Sequence, residues 1–190
     1  ELSLYRSSDD FQFGNNVSNG WVNEAASLGW NSVLNDKVSL EADLVFSNYE
    51  STLSDGLDFG GTTLETGITH YQGNTGIIYK FSDNLDVRLG GVYKYLVNNR
   101  GDLEIAGNDE SDLAVNVDDE EAIEASGYLE LDYSFSDIFG VSVGLRYSNF
   151  SLLGEGSFNT YASDESRSLS TVTGTNEFGA GEQVTSFNGL

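Results

Sequence analysis

The sequence predicts an all-β protein, an up-and-down antiparallel β-barrel of about eight strands. Three observations carry that prediction. Apolar side chains recur at every second position through most of the chain, helical periodicity is almost absent, and short and long polar connections alternate. Period-2 alternation places one side-chain row on each face of a strand, so each segment is two-faced before any packing is known.

The strands fall near residues 1–6, 21–34, 38–48, 67–81, 85–97, 126–135, 139–150 and within 176–190. The clearest is Val141-Ser142-Val143-Gly144-Leu145-Arg146-Tyr147, large and apolar at odd positions, small or charged at even ones. Leu129 to Phe135 and Leu85 to Tyr95 repeat the pattern, as do Val38 to Phe46 and Gly73 to Phe81. The first and last segments alternate poorly. Short polar turns stand at Asn35-Asp36-Lys37, Ser82-Asp83-Asn84 and Ser136-Asp137, and long polar stretches at 7–20, 48–66, 98–125 and 151–175. Strict alternation of the two kinds predicts a meander within a single domain, 1–190, with all long loops at one end.

Composition narrows the function classes. Eight Lys plus Arg against 31 Asp plus Glu give a net charge of −23, which argues against nucleic acid as a partner. With no Cys there are no disulfides, thiolate metal sites or Cys nucleophiles, and a single His, His70, removes any site built on two imidazoles. Counting Gly and leaving out Tyr, the apolar fraction is roughly 44%, and 12% aromatics is too rich for a disordered coil. No run of 18 apolar residues exists, so no transmembrane helix is expected. The start at Glu1 fits a removed signal peptide or an excised fragment.

Alternation alone does not say whether the apolar row meets a core or a lipid. Three features favour lipid. Trp30, Tyr79, Phe81, Tyr133 and Phe135 gather where apolar rows meet the short turns, as in an interfacial aromatic girdle. Gly29, Gly76, Gly90 and Gly144 recur on the opposite face, suited to a narrow lumen. Half of the scarce bases, Lys80, Arg88, Lys94 and Arg146, share that face with Glu41, Asp43, Asp86, Glu130 and Asp132. These nine are expected to form an ion-pair network filling the lumen. Each apolar row is about as long as a membrane-crossing strand, roughly 9–11 residues.

The passages GNTGIIYKFSDNLDVRLGGVYKYL (73–96) and SGYLELDYSFSDIFGVSVGLRYSNF (126–150) each end a strand on aromatics, turn on FSD and return with alternating residues and glycines. In this the chain resembles the small bacterial outer-membrane β-barrels of the OmpA/OmpX/OmpW-like class. The resemblance implies short periplasmic turns, long extracellular loops and a location in the outer membrane of a Gram-negative cell envelope. It marks an architecture rather than one activity, since the class includes adhesins, anchors, narrow pores and a few enzymes. Members commonly finish on an aromatic residue, whereas this chain ends Ser186-Phe187-Asn188-Gly189-Leu190, an incomplete last strand by that standard.

Three constellations remain. His70, on the polar face with Gln72 and Asn74, is the one imidazole available for acid–base work, and no Ser–His motif surrounds it. Residues 101–125 hold Asp102, Glu104, Asp109, Glu110, Asp112, Asp118, Asp119, Glu120, Glu121 and Glu124, hard ligands suited to Ca²⁺ or Mg²⁺ but without EF-hand spacing. The charged lumen invites a pore, yet side chains nearly fill eight-stranded barrels. The expectation is therefore a non-enzymatic membrane barrel with a structural or surface-interaction role through acidic loops. Its expected partners are lipid and lipopolysaccharide, bridged by divalent cations, or a protein met at the loops or in an envelope complex. No catalytic residue, cofactor or metal ligand is assigned. The alternatives are a narrow pore for small solutes, a barrel enzyme acting on lipid or peptide through His70, and a soluble lipocalin-like barrel binding an apolar ligand.

Overall fold

The computed structural model describes residues 1–14, 16–56, 61–105 and 113–190. The strands in chain order are β1 (Leu2–Phe13), β2 (Val17–Asn35), β3 (Val38–Asp55), β4 (Thr62–Ser82), β5 (Leu85–Ile105), β6 (Leu113–Asn116), β7 (Glu120–Ser136), β8 (Phe139–Leu153), β9 (Gly156–Tyr161), β10 (Val172–Phe178) and β11 (Gln183–Gly189). A single 3₁₀ turn, Leu169–Thr171, is the only helix among the described residues. One antiparallel sheet runs β1-β2-β3-β4-β5-β7-β8-β11 with β6 on β5, while β9 and β10 form a separate hairpin. The all-β meander expected from alternation is present. The sheet is open, however: β1 pairs only with β2, and β11 only with β8.

The long polar stretches expected as loops are in large part strand. β1 runs to Phe13 and β2 begins at Val17, while β3 runs on to Asp55, β4 starts at Thr62 and β5 reaches Ile105. Asn, Asp and Gly are weak strand formers, but a ladder that satisfies every backbone group carries them once a neighbour is aligned. Paired registers are continuous from Val17↔Asp55 to Val33↔Ser39 between β2 and β3, and from Val38↔Tyr79 to Asp55↔Thr62 between β3 and β4.

The short turns lie where the sequence predicts. Asn35 Oδ1 accepts from the Lys37 and Val38 amides at 2.9 and 3.0 Å, an Asx turn. Their closing pairs are staggered. Val38 faces Tyr79, the next turn closes two rows further at Leu85, and the third two rows further again at Phe139.

No conventional core exists among the described residues. Ala122 is the only buried apolar residue, and no large side chain is fully buried. The accessible surface of 13391 Å² is about 1.5 times the roughly 8,900 Å² expected of a compact monomer of this mass.

Candidate functional site: a banded face and a charged face

Residues directly opposite in an antiparallel pair share a face, so register sorts every side chain. One face carries the apolar rows. Leu40, Ile77 and Leu89 stand in one row with Leu129 and Leu145, and Leu2, Leu28 and Leu44 stand in another with Gly73 and Tyr93. These side chains are exposed: Leu28 53%, Leu44 63%, Leu89 56%, Leu145 58%. On β7 the polar neighbours of the opposite face are the more covered, whereas on β8 both faces from Phe139 to Tyr147 are exposed. On β7, Leu129, Leu131 and Tyr133 are exposed while Glu130 and Asp132 are half-buried. This is the reverse of a water-soluble sheet, in which the apolar row is the covered one.

Aromatics edge the banded face at both ends. Near the turns, Tyr79 packs on Phe81 at 6.3 Å, Tyr133 on Phe135 at 4.7 Å, and Phe135 on Phe139 at 5.5 Å. Trp30 shares this face but stands five residues before Asn35, inside the band rather than at its rim. Toward the loops, Phe46, Tyr71 and Tyr95 occupy one row across β3, β4 and β5, with ring separations of 5.3 and 6.3 Å. The sequence reading missed this second group. Its signal was there, an aromatic at the far end of each alternating row. From Tyr133 to Ile123, opposite Tyr95, the band spans ten residues, about 33 Å along the strand and about 26 Å across a layer at a tilt near 36–40°.

Beyond this row the polarity inverts. The next rows of the banded face hold Glu24, Asn48, Thr69, Val97 and Glu121, then Val22, Glu50, Gly67 and Asn99, mostly polar with a valine in each. The opposite face, charged near the turns, becomes apolar: Phe11 and Phe13 on β1, Tyr49 and Leu53 on β3, Leu64 and Ile68 on β4, Leu96 and Leu103 on β5, Leu152 on β8. From β1 to β7 the change falls close to the Phe46–Tyr71–Tyr95 row, whereas on β8 it comes earlier, with Asn149 and Ser151 on the banded face and Phe150 on the charged one. This too was missed, because the polar stretches were taken as coil, which hides a phase reversal.

All nine residues of the expected ion-pair set lie on the charged face, but the pairing differs from the expectation. Only Arg88 and Glu41 of that set approach within 4 Å, at 3.8 Å, an ion pair too long for a hydrogen bond. The centre of the charge cluster is Glu124, assigned to a loop by sequence. Its carboxylate takes Lys94 Nζ at 3.0 Å on one oxygen and Arg146 Nη2 at 3.3 Å on the other. Carrying the alternation of 126–135 two residues back would have placed it there. Arg146 also donates to Ser126 Oγ at 2.8 Å. Asp132 accepts from Ser142 Oγ. Asp43, Lys80, Asp86, Glu130 and Asp132 make no ion pair among the described residues.

The glycines of this face are seats for neighbours. A Cβ on Gly76 would stand 2.8 Å from Glu41 Oε1, and one on Gly29 2.9 Å from Asp43 Oδ1. At Gly90 it would collide with the Tyr128 ring and come within 2.7 Å of the Thr75 carbonyl oxygen. Glu41 and Tyr128 thus lie flat across the Gly76–Gly90 pair from opposite sides.

His70 stands opposite Ser47 and Leu96 on the charged face, and its buried Nε2 has no hydrogen-bond partner among the described residues. At the loop end Arg100 donates to the Asp118 carbonyl oxygen at 2.9 and 3.1 Å and pairs with Glu120 at 2.9 Å, tying residues 117–119 to β5. Asp119 thereby lines a hollow of about 350 Å³ with Glu50 and Glu65. No group of three or more His, Cys, Asp or Glu among the described residues is close enough to hold a metal. Asp109, Glu110 and Asp112 lie outside the described residues. No family model matches the chain, and neither does any curated protein or solved structure.

Proposed function

We propose that this chain is a membrane-spanning β-barrel of a bacterial outer membrane, with a structural or surface-interaction role carried by its acidic loop-side half. The observation that carries the proposal is the exposed apolar band edged by aromatics, beyond which the polarity of the two faces exchanges along the long strands. An exposed apolar band with aromatics at both edges has the height of a hydrocarbon layer, about 25 Å. A strand passing from lipid into water must exchange its apolar face at the boundary, since the solvent outside it changes while the interior does not.

Closure belongs to the same proposal. A step of two residues per hairpin amounts to a shear of about eight over eight strands, and eight strands with that shear tilt by about 36°, inside the 35–45° of spanning barrels. That shear would set β11 beside β1 with Asn188 against Asp10 and Phe187 against Phe11. Paired cysteines at Asp10 and Asn188 should form a disulfide, whereas cysteines at Leu2 and Asn188 should not. The Glu41–Arg88 and Lys94–Glu124–Arg146 contacts, with Tyr128 laid across the glycines, favour an obstructed lumen over a conducting one.

The acidic loop-side surface suits divalent-bridged contact with lipopolysaccharide or a basic partner protein. Two measurements test the membrane assignment. The protein should require detergent for extraction and migrate differently on SDS gels before and after boiling. Its Trp30 fluorescence should be quenched by phospholipids brominated on their acyl chains. Monodispersity in plain buffer, with no heat shift and no quenching, would overturn it.

A further inference from the structure

We infer that the outer edge of β9 is a strand-addition site for an extended segment of another polypeptide, one whose alternating apolar stretch is flanked by basic residues. β9 and β10 form a two-stranded ribbon outside the main sheet, and among the described residues β9 pairs with β10 alone. Such a ribbon is marginal in water by itself, and a third strand is what stabilises it. This one is nevertheless fixed at its base. The Gly154 amide donates to the Glu182 carbonyl oxygen at 2.7 Å, and the Gly181 amide to that of Gly154 at 2.9 Å. A Cβ on Gly154 would stand 2.8 Å from Phe178 Cβ, so ribbon and base pack closely.

The two edges of the ribbon differ. The ladder of β10 shifts register between Val172 and Gly174, and this strand carries Glu177. A bulge and a charge both blunt an edge against further pairing. β9 has neither: Gly156 to Tyr161 pair without interruption and include no charge. One bond shows which of its backbone groups are free. The Ala162 amide donates to the Thr171 carbonyl oxygen at 2.9 Å. Because amides alternate sides along a strand, Thr160 and Phe158 also aim theirs at β10. Tyr161, Asn159 and Ser157 turn theirs outward, a ready ladder for an added strand.

Charge selects the occupant. Residues 154–182 hold Glu155, Asp164, Glu165, Glu177 and Glu182 against Arg167, whose guanidinium already lies 5.7 Å from the Tyr161 ring centre. Glu155 precedes β9, and Asp164 and Glu165 follow it, so an incoming strand meets carboxylates at both ends. Basic flanks answer them, whereas a second copy of a chain of net charge −23 is repelled. Phe158, edge-on to Phe178 at 5.7 Å, is the cross-strand neighbour for an apolar side chain of the added segment.

A fluorescent peptide of alternating Thr and Val with two Lys at each end tests this on the whole chain, in lipid nanodiscs if it needs detergent for extraction. Binding should saturate, and replacing every Lys of the peptide by Glu should abolish it. In hydrogen exchange followed by NMR, the Ser157, Asn159 and Tyr161 amides should slow at least tenfold at saturation. Asn159→Pro removes an outward amide, while Asn159→Ala keeps it; both lose the hydrogen bond from Thr175 Oγ1. The proline variant should therefore bind at least tenfold more weakly than the alanine variant, with its Phe158 and Thr160 amides still protected. No saturable binding, or saturation without slowing at Ser157, Asn159 and Tyr161, would overturn the inference. So would equal binding by the two Asn159 variants. These readouts do not involve bilayer contact, so the strand-addition site and the membrane assignment can fail separately.

Discussion

The turn-side and loop-side halves of the sheet are built from the same strands with opposite polarity. In the turn-side half Leu44, Leu89, Leu129 and Leu145 point away from the charged face and Glu41, Arg88, Glu124 and Arg146 lie on it. In the loop-side half Glu50, Thr69 and Asn99 take the place of the leucines, and Tyr49, Ile68 and Leu96 that of the charges. The backbone pairing does not change at the boundary. On the membrane proposal the exchange follows from the change of solvent along each strand, because a ladder of hydrogen bonds is indifferent to which side chains it displays. A sheet wholly in water would keep one apolar face from end to end.

Substitutions on one face should therefore cost different amounts in the two halves. Leu89→Lys places a charge in mid-band and should destabilise the protein in lipid vesicles by about 2–4 kcal/mol. Thr69→Lys, on the same face above the boundary, should stay within about 0.5 kcal/mol. Equal losses in a denaturant titration would erase the distinction between the halves. Gly90→Val tests the seat beneath Tyr128 and should cost about 2 kcal/mol, the usual range of overpacking. Tyr128→Ala should recover only part of that loss, because the Thr75 carbonyl oxygen is also within 2.7 Å of the new Cβ position. Glu124→Gln strands two cations on a half-covered face. A loss of about 1–2 kcal/mol is expected, between the value of an exposed pair and that of a buried one, and a double-mutant cycle with Lys94→Gln should show coupling. The smallest effect belongs to the loop side. Arg100→Ala should shift global stability by less than about 1 kcal/mol while speeding proteolysis within 117–119, which it holds.

The parts of this architecture differed in how openly the sequence carried them. Six strands were visible, from 21–34 and 38–48 to 139–150, because large apolar residues at every second position are a local signal. The Asn35, Ser82 and Ser136 turns were equally local. Strand extensions such as Tyr49–Asp55 and Thr62–Thr66 were hidden, since polar residues on both sides of a segment resemble a loop until a neighbour supplies its hydrogen bonds. Glu124 was lost to the same cause, absorbed into an acidic run that began at Asp102.

Period-2 alternation by itself determined that these strands are two-faced, that the faces bear these residues, and that the chain meanders between short turns, because strand geometry alternates side chains whatever lies beside them. The tertiary pairing decided which residues share a row, and with it the meeting of Lys94 and Arg146 on Glu124 and the laying of Tyr128 over Gly90. Those contacts join residues up to tens of positions apart, and register, set by the whole ladder, is a property no single segment contains.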